Sequence, residues 1–344
     1  MKKVTLILAL MLTSVTFAQE TETKSTPLEI SGSADGYYKY DFAKAENIMT
    51  SFATDHSSFS LGMIDIALKK TTGKFSFVGE VSFGPRGAGQ SIPDVNGQSF
   101  HIQNLYATYA ASDKLSLTAG YMGTFIGYEV ISPLGNYNYS TSYLFTNGPF
   151  QNAGIKANYA VSSKVGLMVG LFNDQWNAYQ ANPSFGLNAV GAQLSLTPVE
   201  GLTAYINYLD GSESGTIVDL TAAYQVSEKF KLGLNVADFS DADEDSDGGF
   251  TGFALYPSYA VNKNFSLGLR AENFKAKKDS GSYSGVSGDE SVTAFTLSAN
   301  LKSGSLTLIP EIRLDSASQQ KFFQSNGAVT KSASQFAVAM VYGF

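Results

Sequence analysis

Apolar and polar residues alternate along short stretches of this chain, from about Leu28 to Phe344. In Lys114–Tyr121, Leu115, Leu117, Ala119 and Tyr121 share one parity and Ser116, Thr118 and Gly120 the other. Lys229–Val236 sets Phe230, Leu232, Leu234 and Val236 against Lys231, Gly233 and Asn235, and Asn264–Ala271 repeats the pattern. A period of two marks a strand with one apolar and one polar face. Sixteen such segments are predicted, at 28–42, 58–70, 74–84, 99–111, 114–125, 150–161, 164–174, 186–197, 201–210, 215–226, 229–239, 249–261, 264–275, 289–302, 304–315 and 333–344. The second conflicts with itself: Phe59, Leu61 and Met63 share one parity, yet Ile64, Ile66 and Leu68 continue on the other.

The connections alternate between two kinds. Seven are short and built from turn residues: Thr71–Gly73, Ser112–Asp113, Ser162–Ser163, Pro198–Glu200, Ser227–Glu228, Asn262–Lys263 and Ser303. The other eight, near 43–57, 85–98, 126–149, 175–185, 211–214, 240–248, 276–288 and 316–332, are mostly longer. Seven turns at one end and eight loops at the other close an up-and-down barrel of sixteen strands. The predicted fold is therefore all-β, a transmembrane antiparallel barrel with short periplasmic turns and long external loops. A barrel of this size holds water, so the polar face is the lumen and the apolar face meets lipid. The alternative is a secreted soluble β-protein, against which the two unlike ends weigh. Nineteen Tyr and the single Trp, Trp176, suit interfacial aromatic belts.

The N-terminus adds a compartment. Lys2 and Lys3 precede an apolar run from Val4 to Leu12 and small or apolar residues to Ala18. This is the layout of a secretory signal peptide, with cleavage expected after Ala18, so that residues 1–18 are removed and 19–344 form the barrel. Removing two lysines deepens the formal charge of −7, which argues against a nucleic-acid partner. There is no cysteine, so disulfides and thiolate chemistry are excluded.

Two segments carry a family resemblance. Phe336, Val338, Met340, Tyr342 and Phe344 share one face of the last segment. This resembles the terminal signal by which outer-membrane barrels are recognised by their assembly machinery. Asn136 to Phe150, rich in Asn and Ser before an aromatic and Gly148-Pro149, resembles a stretch of the Gram-negative, OmpL-like β-barrel porins common in Bacteroidota. The resemblance implies an outer-membrane channel, a homotrimer by analogy, and a third external loop that folds inward to narrow the pore. Here that loop, 126–149, is also the longest, and Glu129, Asn136, Tyr137, Asn138, Tyr139 and Ser140 are its candidate constriction residues.

Parity assigns the pore wall. Glu29, Asp35, Lys39 and Asp41 face inward on the first strand, then Glu80, Lys156, Lys231, Arg270 and Glu272, then Glu311, Arg313 and Asp315. Acids outnumber bases slightly, which predicts a weak cation preference. Only Arg86, Arg270 and Arg313 are arginines, so no dense basic ladder for anions exists. Pro257 and Pro310 fall on the lipid face, where a bulge is expected. Inward Tyr37, Tyr205, Tyr256 and Phe239 are scattered rather than arranged as an aromatic slide.

Other chemistry is sparse. Asp243, Asp245 and Asp247 before Gly248 match half of a calcium loop, but Ala254 stands where a Glu ligand belongs. A solvated acidic loop is the reading adopted, with no metal and no cofactor. His101 near Ser99 suggests a nucleophile pair without a third member, so no enzyme is predicted. Passive diffusion of small hydrophilic solutes leads. A substrate-selective channel for sugars or another nutrient, and a non-conducting adhesin or structural barrel, are the alternatives.

Overall fold

A computed structural model describes residues 25–86, 100–180, 184, 186–243 and 245–344. The segment read as a signal peptide and most of the loop read at 85–98 lie outside them. The strands are β1 (Glu29–Asp41), β2 (Ser58–Thr72), β3 (Phe75–Phe83), β4 (Phe100–Ala110), β5 (Leu115–Gly123), β6 (Gln151–Ala160), β7 (Val165–Asn173), β8 (Leu187–Leu196), β9 (Leu202–Gly211) and β10 (Gly215–Gln225). They continue as β11 (Phe230–Ser240), β12 (Gly249–Asn262), β13 (Phe265–Ala276), β14 (Ser282–Tyr283), β15 (Val286–Ser287), β16 (Ser291–Ser303), β17 (Leu306–Ala317), β18 (Phe322–Phe323), β19 (Val329–Thr330) and β20 (Ser332–Gly343). Sixteen of them close one antiparallel barrel in chain order, with β14–β15 and β18–β19 as small hairpins inside two outer loops. β1 pairs with β20, from Ser33↔Gly343 to Asp41↔Gln335, and this seam satisfies both edges. Barrel strands fall within a couple of residues of the spans the alternation predicts; the loop hairpins have no such signal.

Parity sorts the side chains as expected. On β20, Ala333, Gln335, Ala337, Ala339 and Val341 are buried, while Phe336, Met340 and Tyr342 are exposed. Outward Tyr109, Tyr159, Tyr224, Tyr259 and Tyr342 lie near the short-turn ends of their strands and form an aromatic girdle. Trp176 departs from this expectation: its ring packs 5.3 Å from inward Phe239, inside the barrel rather than in a belt.

The conflict within β2 has a local cause. The β1–β2 register passes from Ala34↔Ile64 to Gly36↔Leu61, so Gly62 and Met63 together oppose Asp35. This bulge flips the parity. Phe59 and Leu61 are outward before it, 90% and 75% exposed, and Ile64 is outward after it. Asp35 accepts the Met63 amide at 2.9 Å, and a Cβ on Gly62 would collide with that carboxylate. The prolines, in contrast, make no bulge. The register is the same at Leu255↔Ala271 and Ser258↔Gly268, either side of Pro257. It is likewise unchanged from Ser298↔Glu311 to Leu301↔Leu308, around Pro310. Each proline lacks a donor toward one neighbour only, so rungs are lost on that side but no residue is inserted. The alternation of faces therefore runs through both prolines without a shift.

An apolar outer face makes outward charge costly. Leu297, mid-strand and outward on β16, should lose about 2–4 kcal/mol of folding stability in vesicles as Leu297→Lys. Asn158→Lys, facing inward on β6, should change it little. Urea unfolding in lipid vesicles measures both.

Candidate functional site: the loop folded into the barrel

Residues 124–150 leave β5 and re-enter the barrel before β6. The path contains a 3-10 turn at Pro133–Gly135 and one helix, α1 (Tyr143–Asn147). Asn136 closes the first half, its side chain accepting from Val130 N at 2.9 Å and donating to Val130 O at 2.5 Å. Ser142 caps α1: its hydroxyl accepts from Phe145 N at 2.9 Å and donates to Glu129 at 2.7 Å. Small polar residues suit this path because their side chains replace the partners that a ladder would supply.

The wall then holds the loop through its backbone. Glu272 on β13 accepts Tyr143 N at 3.0 Å and Leu144 N at 2.8 Å, two amides that α1 leaves unpaired. Glu311 on β17 accepts the Tyr139 and Ser140 amides at 2.8 and 3.2 Å. Asn138 donates to Ser298 Oγ on β16 at 2.7 Å. Tyr139 and Tyr143 reach further, their hydroxyls donating to Asp35 at 2.5 Å and Asp315 at 2.8 Å.

All three arginines converge on this loop. Arg270 pairs with Glu129 at 2.7 Å and donates to the Ser140 and Thr141 carbonyls at 2.6 and 3.1 Å. Arg313 grips Asp315 with two bonds, 2.8 and 3.0 Å, and reaches the Thr141 carbonyl at 2.8 Å. Arg86 lies 3.5 Å from Asp35, between the rings of Phe52 and Tyr139 at 4.7 and 4.6 Å. The guanidiniums of Arg270 and Arg313 have no exposed surface. Their charges are therefore neutralised by fixed partners and present no open field to pore water.

Glycines on the wall make room for the loop. A Cβ at Gly233 would overlap Tyr128, and one at Gly268 would overlap Tyr137. Tyr128 stacks on inward Tyr256 with ring centres 4.4 Å apart. Part of the outer lumen is accordingly not polar. Inward Phe250, Phe274, Val292 and Ala294 bury against Tyr143, Leu144, Val286 and Phe322 from the loops. Where loops displace water, the polar side of a strand turns apolar, so Phe239 and Tyr256 are packing groups.

The remaining sequence-predicted residues separate by depth. Lys39 donates to the Thr54 carbonyl, and Asp41 accepts the Ala43 amide at 2.8 Å. Glu29 is exposed at the turn end, 3.8 Å from Lys69. Glu80 accepts from Asn104 at 2.6 Å, and Lys156 faces inward on β6. Lys231 lines a cavity below the loop. Pattern reading missed Arg86 as an anchor, and also Asp65 and Asp219. Asp65 accepts from the Ser33 hydroxyl, and Asp219 accepts from Asn207, from Asn235 at 2.7 Å and from Gly127 N at 3.2 Å. Asp219 had a signal, an acid at the inward parity of β10 between Val218 and Leu220; Arg86 sits in a loop, where parity is silent.

In the acidic loop, Asp243 accepts the Asp245 amide at 3.1 Å and Asp279 accepts the Asp247 amide at 3.1 Å. These carboxylates act as turn acceptors, and among the described residues no three metal-ligating groups gather. Ser99 lies outside the described residues, so the pair imagined with His101 has no geometry.

The architecture defines a class: an outer-membrane β-barrel channel whose third external loop enters the lumen. Comparison gives the particular group. The chain belongs to the family described as "Putative beta-barrel porin-2, OmpL-like", whose model matches residues 27–344. Among solved structures, an anion-selective porin from Comamonas acidovorans is similar at TM-score 0.63 and 15% identity, over 93% of this chain and 100% of that one. Salmonella typhi OmpF in complex with daunomycin gives 0.61 and 14%, over 92% and 97%. OmpT of Vibrio cholerae gives 0.58 and 11%, over 95% and 99%. At these identities the likeness is one of fold. No curated protein matches the sequence.

Above the loop, Lys321 is held over the rings of Tyr143 and Phe322 at 5.5 and 5.2 Å. Burial lowers its ammonium to about 8, against the opposing pull of Glu290 and Asp315. The folded value lies below the unfolded one, so the charge destabilises fully below pH 8 and is relieved as pH rises from about 8 toward 10.5. Lys321→Met should remove that rise from the pH profile of the urea midpoint. A second prediction concerns the buried pair. Arg270→Met should cost about 3–5 kcal/mol because it strands Glu129, and adding Glu129→Gln should recover part of the loss. Denaturant midpoints of the single and double variants test the coupling.

Proposed function

We propose that this porin passes small hydrophilic solutes and ions by passive diffusion, with a weak cation preference, and performs no enzymatic reaction. The path runs between the inward loop and the wall formed by β3–β7. One observation carries the reading. From Tyr128 to Leu144 the loop takes its wall partners from β1, β11, β12, β13, β16 and β17. By ring order β3 to β6 stand on the opposite side of the barrel, with Glu80, Asn104, Tyr106, Thr108, Lys156 and Asn158 at inward parity. Glu129, Asn136, Tyr137, Asn138, Tyr139 and Ser140 narrow the lumen by holding the loop there. Cation preference follows from inward acids outnumbering inward bases and is weak because most of both are paired.

We further propose a homotrimer, the form of one solved structure of OmpT of Vibrio cholerae. Assembly machinery reads the outward Phe336, Val338, Met340, Tyr342 and Phe344.

Planar-bilayer recording tests the channel reading. Deleting 134–147 should raise single-channel conductance several-fold; unchanged conductance would place the loop outside the path. In a salt gradient the reversal potential should show a small preference for the cation. A clear anion preference, or no conductance at all, would contradict the proposal, the latter favouring an adhesin or structural barrel.

A further inference from the structure

Beneath the inward loop, at the short-turn end, lies a cavity of about 470 Å³. That is within the range of roughly 300–1,000 Å³ typical of small-molecule sites. The loop segment from Tyr128 to Asn138 forms its ceiling, and β11, β12, β13, β16, β17 and β20 form its walls. Lys231, Lys263 and Lys302 border it. Among the described residues none of these three ammonium groups has a hydrogen-bond or ion-pair partner. The one carboxylate in the lining, Glu129, is already paired with Arg270 and bonded to Ser142. The cavity therefore carries an uncompensated positive field at the periplasmic mouth, unlike the paired charges above the loop.

The rest of the lining is not that of a site for a bare ion. Tyr128, Tyr137 and Phe265 offer ring surface. Ser258 and Asn264 add a hydroxyl and an amide without internal partners, Ser266 adds a hydroxyl beside Tyr137, and Asn300 keeps its carbonyl oxygen after donating to Tyr137 O at 3.0 Å. Aromatic faces accept the C–H face of a pyranose, hydroxyls and amides bond its hydroxyl groups, and lysines bind a negative substituent as point charges. We propose that this cavity binds a hexose-sized sugar bearing a carboxylate, oriented with its acid group toward Lys231 and Lys302. The inference rests on the channel reading and names the solute class that the periplasmic end retains.

Calorimetric titration of the full refolded barrel with glucuronate, glucose and acetate tests it. Glucuronate should bind at least ten-fold more tightly than glucose, which lacks the charge, and than acetate, which lacks the hydroxyls. Lys231→Gln/Lys302→Gln should weaken glucuronate at least ten-fold and leave glucose unchanged; both lysines are exposed, and a heat-modifiable gel shift verifies that the variant folds. Equal affinity for the three probes, or glucuronate binding indifferent to the two lysines, overturns the proposal. Liposome swelling with glucose on the same preparations separates the two claims. Swelling without selective glucuronate binding defeats only the sugar-acid site, whereas no swelling with any solute defeats the channel reading itself.

Discussion

Buried guanidinium groups in the lumen are the constraint on which the interior depends. An arginine removed from water must be surrounded by acceptors, or its desolvation is uncompensated. Arg270 and Arg313 are both fully buried on neighbouring parts of the wall, and the loop brings them Glu129 and the carbonyls of Ser140 and Thr141. The loop in turn has backbone amides without ladder partners, and the wall acids Glu272 and Glu311 accept them in consecutive pairs. Wall and loop thus complete each other's polar groups. If the loop swings out, Arg270 loses Glu129, Arg313 keeps Asp315 but loses the Thr141 carbonyl, and Glu272 and Glu311 lose the amides they accept.

That completion explains the chemistry of the rest of the lumen. With the loop fixed over β13, β16 and β17, the outer lumen beside those strands is packed, and many inward positions there become Phe, Val and Ala. Where the loop leaves space, the wall stays polar, as at Glu80 and Lys156. Below it, the three lysines remain without counter-charges. One loop therefore divides a single barrel into a dry packed sector, a wet channel sector and a basic vestibule.

The barrel was legible because a strand between lipid and lumen must alternate, and turns at one end must be short. β13 is an example: Leu267, Leu269 and Ala271 outward, Gly268, Arg270 and Glu272 inward. The anomaly in β2 was legible as a conflict, though its bulge needed the sight of Asp35 against Gly62. Pro257 and Pro310 misled because the absence of a donor breaks rungs without shifting register. The interior was much less legible. Arg270 and Glu129 are 141 residues apart, and nothing in a period-two pattern encodes which loop a wall charge meets. Trp176 looked like a belt residue by type alone, whereas its loop carries it onto Phe239. The inward folding of the third loop came from resemblance rather than from periodicity.

Hydrogen–deuterium exchange of the refolded barrel in micelles reads the central claim most directly, by following the backbone amides of Tyr139, Ser140, Tyr143 and Leu144. Each donates to Glu272 or Glu311 inside the barrel. The account predicts protection of these amides comparable to that of the barrel strands β13 and β17. Exchange at the rate of an exposed outer loop would contradict it.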